Sequence, residues 1–332
     1  MGLSGRKSKW VFADSGPTHL TRPGIEIDWD NEEHRRCITA CLVKATYVLE
    51  KDRTTWREGK SNARAPAWWE SFHFRRLPEY DLDTRRHPSA PTHIVAFRGT
   101  MTWDPTFFRD MGHNLKILLN RKSWLGHVRA EVAKLLLATG RKDTIWLAGH
   151  SLGASIALDV GRHMMTNAEI NLPLPAFLFN PPHVSLAPVI GEEARTDVYA
   201  MGYRAKYFLG NNVLTGHRDR MEGLFEQLSP WVPNLYVHKK DFICKGFIDY
   251  FEQRERMKKR LQPGVATSAA TLSFRDMGRS LLGMKRERPH LLPSAMLWEN
   301  RSSCCCGPHD LQQWWQPQGP ELVLSSKQYT WP

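Results

Sequence analysis

No stretch of this 332-residue chain carries the roughly 18 consecutive apolar residues that a membrane-crossing helix needs, so no transmembrane segment is predicted. The basic start, Met1 to Lys9, has no apolar run behind it, which argues against a secretory signal. Myristoylation wants Ser or Thr at position 6, where the chain has Arg6. The expected address is the cytosol. There is no G-x-G-x-x-G and no P-loop, so nucleotide chemistry lacks support. Internal repeats are missing too. Cysteine is sparse: Cys37, Cys41, Cys244 and the run Cys304-Cys305-Cys306 do not form a disulfide framework. The run lacks the second C-x-x-C or the His pair that zinc would use. It reads as free thiols in a cytosolic loop, while Cys37 and Cys41, spaced as on one helix face, are expected in a core. No metal or cofactor is implied.

What the chain does have is a globular composition, 41% hydrophobic and 24% charged. Its net charge is +12. The basic residues are spread out, densest at Arg254–Arg260 and Lys285–Arg288, with no helix-turn-helix, zinc-finger or RNP-type pattern beside them. Specific nucleic-acid binding is therefore not expected. A solvated face, or peripheral contact with an anionic membrane surface, fits better.

The most informative stretch is Thr144 to Ser155, which holds Gly149-His150-Ser151-Leu152-Gly153, a G-x-S-x-G pentapeptide. An apolar run, Ile145 to Ala148, leads in, and a helix-like segment leads out. That strand, sharp turn and helix are the context of a nucleophile elbow. In so tight a turn, side chains at the flanking positions would collide, which gives Gly149 and Gly153 a steric reason to be glycine.

Elsewhere, strand-like and helix-like runs alternate. A helix is predicted after Asp30, read as an N-cap with Glu33 in a capping box, through Ile38, Cys41, Leu42, Ala45, Val48 and Leu49. Buried strands are predicted at 94–97, 144–148 and 176–179, and a further one at 235–237. A helix is expected from Asp104 through Leu118, another through Val128, Val132, Leu135 and Leu136, and a basic one over 245–259. From about residue 261 the chain reads as irregular. The alternation implies βαβ units and a mostly parallel sheet.

A serine hydroxyl is a poor nucleophile at neutral pH. It needs a histidine to take its proton and a carboxylate to orient that histidine. On this fold the chain order is Ser, Asp or Glu, then His. Asp241 fits best, because it follows the run Leu235 to His238; Asp197 and Asp219 are the rivals. Beyond Asp241 only His290 and His309 remain, both in loop-like sequence, and chemistry alone does not choose between them. The oxyanion needs two donors. One is the N–H of Leu152, and Gly99-Thr100, after the 94–97 strand, is placed to give the other.

These residues resemble a known family. Val95-Ala96-Phe97-Arg98-Gly99-Thr100 with Leu147 to Gly153 is similar to the class 3 (fungal-type) lipases, which are α/β-hydrolases. The segments Phe177 to Pro182, Asp241 to Cys244, His290 to Ala295 and Gln313-Trp314-Trp315 resemble a plant branch often labelled GDSL esterase/lipase-like. No Gly-Asp-Ser-Leu stretch occurs here, so that label describes no mechanism in this chain. The resemblance implies Ser151 as nucleophile, Asp241 as triad acid, and Thr100 with Leu152 as oxyanion pair. It favours His309 as base, with His290 the alternate. It also implies an amphipathic lid, in the place of Trp103, Phe107, Phe108, Leu115, Ile117, Leu118 and Leu119.

The expected architecture is an α/β-hydrolase fold: a mostly parallel sheet flanked by helices, with an elbow at Ser151. Residues 1–28 read as an N-terminal extension, 29–315 as the hydrolase domain and 316–332 as a C-terminal tail. The expected activity is serine carboxylic-ester hydrolysis on a lipid or other small apolar acyl ester. The alternatives are an inactive hydrolase-fold binding module and an acyltransferase on the same fold.

Overall fold

In a computed structural model, the described residues are 8–76, 90–100, 122–139, 145–183, 192–283, 291–303 and 307–331. Among the described residues six strands form one sheet: β1 (His93–Phe97), β2 (Ile145–His150), β3 (Ala176–Phe179), β4 (Asn234–His238), β5 (Ala295–Asn300) and β6 (Leu324–Tyr329). They lie in the order β1 to β6; β1 through β5 are parallel, and β6 closes the sheet antiparallel to β5. The described helices are α1 (Phe12–Ser15), α2 (Glu32–Thr54), α3 (Ala67–Glu70), α4 (Lys122–Thr139), α5 (Leu152–Thr166), α6 (Glu192–Asn212), α7 (Thr215–Leu228), α8 (Gly246–Arg260), α9 (Pro263–Thr271) and α10 (Phe274–Leu281). A 3-10 turn spans Leu311–Trp315. This is an α/β-hydrolase architecture.

Side chains alternate across each strand, so β2 feeds two cores. Ile145 and Leu147 join Leu178, Leu235 and Val237 against α4, α5 and α8. Trp146 and Ala148 join Phe177, Phe179 and Tyr236 against α2 and the two tryptophans of the 3-10 turn. Burial on both faces explains why these strands read as continuous apolar runs.

The structure also departs from the sequence expectations. The N-cap of α2 is Asn31, whose side chain accepts from the Glu33 N–H at 2.8 Å. Asp30 instead donates its N–H to Asp28. The region after 261, expected to be irregular, holds α9, α10, β5 and β6. β6 lies in the stretch read as a tail; its Ser326 to Gln328 segment is exposed and polar, as an outer strand allows. Residues of the expected N-terminal extension pack inward. Phe12 meets Trp68 edge-to-face, and the buried Trp315 donates to the Ser15 carbonyl.

Candidate active site

In a parallel sheet the carboxyl ends of the strands share one edge, and loops leaving that edge converge. Ser151 follows β2 directly, Asn180 follows β3, and Asp241 lies three residues past β4. The main chain continues the ladder here: the Ser151 N–H donates to the Phe179 carbonyl, and the Asn180 N–H to the Tyr236 carbonyl.

Ser151 has φ 55° and ψ −124°, a backbone conformation rare for a residue with a side chain. Such strain persists only where the surroundings enforce it. A Cβ on Gly149 would sit 2.4 Å from the Gly153 carbonyl oxygen, and one on Gly153 would sit 2.2 Å from the Phe97 oxygen. The strand, elbow and α5 are that close. Leu152 is the first residue of α5, so its N–H has no acceptor within the helix.

The structure brings Ser151, His309 and Asp241 together. His309 Nε2 lies 2.9 Å from Ser151 Oγ, and its Nδ1 lies 2.7 Å from Asp241 Oδ2. The carboxylate can only accept, which places the proton on Nδ1 and leaves Nε2 to accept from the serine hydroxyl. Asp241 is 1% exposed and takes further donors: Asn180 Nδ2 at 2.8 Å and the Ile243 N–H at 3.0 Å. Burial alone would raise its pKa. The hydrogen bond and charge of His309, with the Cys244 and Asn180 bonds, outweigh burial and hold it below the usual carboxylate range.

Three residues that the sequence reading left without a role complete the arrangement. Asn180, in the left-handed region at φ 47°, also donates to the Pro308 carbonyl at 3.0 Å and accepts from Trp314 Nε1 at 2.5 Å. His150 donates from Nε2 to the His309 carbonyl at 3.0 Å. Burial pushes the His150 pKa down to about 3, so its Nδ1 is bare and accepts. The donor is the Tyr47 hydroxyl at 2.8 Å, and that oxygen accepts the Gly99 N–H at 2.7 Å. A directed chain thus runs from Gly99 through Tyr47 and His150 to His309. Thr100 and Leu152 line one cavity together with Gly99.

Residues 88–189 match the lipase (class 3) family profile. The chain is 32% identical to a GDSL esterase/lipase of Arabidopsis thaliana, over an alignment covering 92% of this chain and 94% of that protein. The chain belongs to the class 3 lipase family. No solved structure matches it.

The remaining sequence expectations can now be placed. Asp197 and Asp219 sit on α6 and α7 in exposed ion pairs with Arg260 and Arg218, respectively. Cys37 and Cys41 are fully buried, as expected for core residues, and burial raises the Cys37 thiol to about 12. His290, the lid segment from Trp103 to Leu119 and Cys304–Cys306 lie outside the described residues. A signal for Asn180 was available: a polar residue directly after a buried strand, on the same edge as Ser151. Tyr47 carries no such signal, because an aromatic on an amphipathic helix reads as packing. Among the described residues no cluster could hold a metal ion, and no helix is long and apolar enough to cross a membrane.

Proposed function

We propose that this class 3 lipase is a serine carboxylic-ester hydrolase acting on lipid or other apolar acyl esters. Ser151 Oγ attacks the ester carbonyl while His309 Nε2 takes its proton. Asp241 holds the imidazole in the required tautomer and stabilises the imidazolium that forms. The N–H groups of Thr100 and Leu152 receive the oxyanion. His309 returns the proton to the departing alkoxide, then activates water to release the acid. The single observation carrying this proposal is the His309 ring, within hydrogen-bond distance of both Ser151 and Asp241.

The test is labelling with a fluorophosphonate probe, followed by turnover of a short p-nitrophenyl ester. The expected result is a labelled parent, an unlabelled Ser151→Ala variant and turnover in the parent only. An unlabelled, inactive parent would point to a binding module. Acyl transfer exceeding hydrolysis when an alcohol is added would point to a transferase. Contact with an anionic lipid surface is a second reading. The exposed face of α6 favours it, presenting Val198, Met201 and Phe208 beside Arg204. Co-sedimentation with anionic but not neutral vesicles is expected, and equal recovery with both would sink it.

A further inference from the structure

Helix α2 ends in a way that its own chemistry does not explain. Its last turn closes as a Schellman motif: the Arg57 N–H donates to the Asp52 carbonyl at 2.8 Å, and the Trp56 N–H to the Arg53 carbonyl at 3.3 Å. The residue after the C-cap of such a turn takes the left-handed region, where glycine is the usual occupant because it has no Cβ. Here that residue is Trp56, at φ 57°. Packing does not offset the strain, because Trp56 is 83% exposed, the most of any large apolar side chain among the described residues. Strain without burial points to a role outside the stability of the fold.

The loop that follows is fastened. Asp52, which is buried, accepts from Arg57 Nε at 3.1 Å and from the N–H groups of Arg64 and Ala65 at 2.7 and 2.8 Å. One carboxylate thus closes the loop 55–65 and gives Trp56 a fixed base, so little freedom is lost when the ring docks. Arg57 is neutralised by Asp52, whereas Lys60 and Arg64 are exposed and form no ion pair among the described residues. The loop also stands at the catalytic edge. Arg53 and Glu58, on either side of Trp56, line the cavity of about 530 Å³ that holds Gly99, Thr100 and Leu152, and so does the exposed Trp124. No residue of α6 lines that cavity, so this surface is separate from the apolar face of that helix.

An indole is apolar over its rings and polar at Nε1, which suits the headgroup level of a bilayer. Unpaired cations beside it suit anionic headgroups. We propose that Trp56 is an interfacial anchor. Its ring enters the headgroup layer of an anionic lipid surface, Lys60 and Arg64 meet the lipid charges, and the mouth of the cavity that holds Gly99 and Thr100 is turned toward the bilayer. The anchor rests on the lipid-contact reading above and gives it a second, named surface; it needs no turnover by Ser151.

The experiment is co-sedimentation of the full chain with vesicles of equimolar phosphatidylserine and phosphatidylcholine, against phosphatidylcholine alone. Trp56→Gly is the main variant, because glycine relieves the backbone while deleting the ring. Its thermal midpoint should equal or exceed the parent's. Its partition coefficient on the anionic vesicles should fall at least about tenfold, the effect of exposing one large side chain. Its turnover of soluble p-nitrophenyl butyrate should stay at the parent level. Lys60→Gln/Arg64→Gln should lose about fivefold per cation on the anionic vesicles and little on the neutral ones. Undiminished binding by Trp56→Gly overturns the anchor and leaves the contact to α6. A lowered midpoint would mean that the ring packs within the fold, and a fall on the soluble ester would place it in the site; either overturns the anchor. A parent that ignores both vesicles overturns the anchor together with the lipid contact. A parent that binds anionic vesicles through Trp56 yet cleaves no ester overturns the hydrolase proposal and leaves the anchor standing.

Discussion

Removing one oxygen atom, by Tyr47→Phe, should damage both stability and turnover. The Tyr47 hydroxyl accepts from the Gly99 N–H at 2.7 Å and donates to His150 Nδ1 at 2.8 Å. Burial raises the phenol pKa above its ordinary range, so the hydroxyl keeps its proton at working pH. Phenylalanine fills the same space but strands both partners. Each buried group left without a partner costs about 1–3 kcal/mol, so the two together cost about 2–4 kcal/mol after some relaxation. A domain of this size loses about 1.5 °C of thermal midpoint per kcal/mol, which predicts a fall of about 3–6 °C.

The effect on chemistry is separable from the effect on stability. Gly99 precedes Thr100, and a Cβ on Gly99 would lie 3.1 Å from the Ser151 Cβ, so this loop leans on the elbow. If the loop drifts, the Thr100 N–H moves out of the place proposed for it at the oxyanion. Loss of one such donor costs about a hundredfold to a thousandfold in kcat. The measurements are kcat and KM on a short p-nitrophenyl ester at a temperature where the variant is fully folded. The expected result is a large fall in kcat with KM little changed. A kcat within twofold of the parent, with an unchanged midpoint, would refute the positioning role of Tyr47. A matching rise in KM would assign Tyr47 to substrate binding instead.

His309→Ala should lose several orders of magnitude in rate, whereas His290→Ala should keep a substantial fraction; the reverse ranking in a p-nitrophenyl ester assay would move the base. Acid should destabilise the fold. His150 titrates near 3 when folded but near 6.5 when unfolded, so unfolding takes up a proton between those values. That contribution is complete above pH 6.5 and falls by about 2–3 kcal/mol at pH 4.5, and Asp241, with its lowered pKa, adds a loss at lower pH still. A thermal midpoint flat from pH 7 to 4.5 would contradict this. Gly153→Ala forces a Cβ to within 2.2 Å of the Phe97 oxygen, so it should yield little soluble protein; a folded, active variant would show that β1 can move away from the elbow.

The legibility of the site in the sequence follows from chain separation. The elbow is local: strand, turn and helix lie within twenty residues, and two glycines mark the turn. Buried parallel strands announce themselves as apolar runs, which is why 94–97 and 176–179 were readable. β6 was not, because an outer strand with Ser326, Lys327 and Gln328 exposed carries no such run. α6 was missed as well, since exposed apolar residues such as Met201 and Phe208 blur its polar face. Asp241 was readable from chain order and strand context. His309 was not separable from His290 by chemistry; only the family resemblance favoured it. The hydrogen bond from Tyr47 to His150 joins residues 103 positions apart, and no local pattern encodes such a pairing.

That distribution has a mechanical meaning. Ser151 and Asn180 are fixed by strand ends in neighbouring register, and Asp241 by the turn after β4, so the sheet itself sets their spacing. His309 has no strand beneath it. It lies nine residues past the end of β5, on a loop that must be held by other means. The holding groups are side chains from the rigid edge: Asn180 on the Pro308 carbonyl and His150 on the His309 carbonyl, with Gln313 adding a second bond to Pro308. Each bond grips the main chain rather than the imidazole, which leaves both ring nitrogens to Ser151 and Asp241. The same two side chains reach outward as well, Asn180 to Asp241 and His150 through Tyr47 to Gly99. The loop carrying His309, the Asp241 carboxylate bonded to its ring and the loop of Gly99 and Thr100 are therefore coupled through two residues. A change at either of them should disturb all three at once, and so cost more than its distance from the reacting atoms suggests.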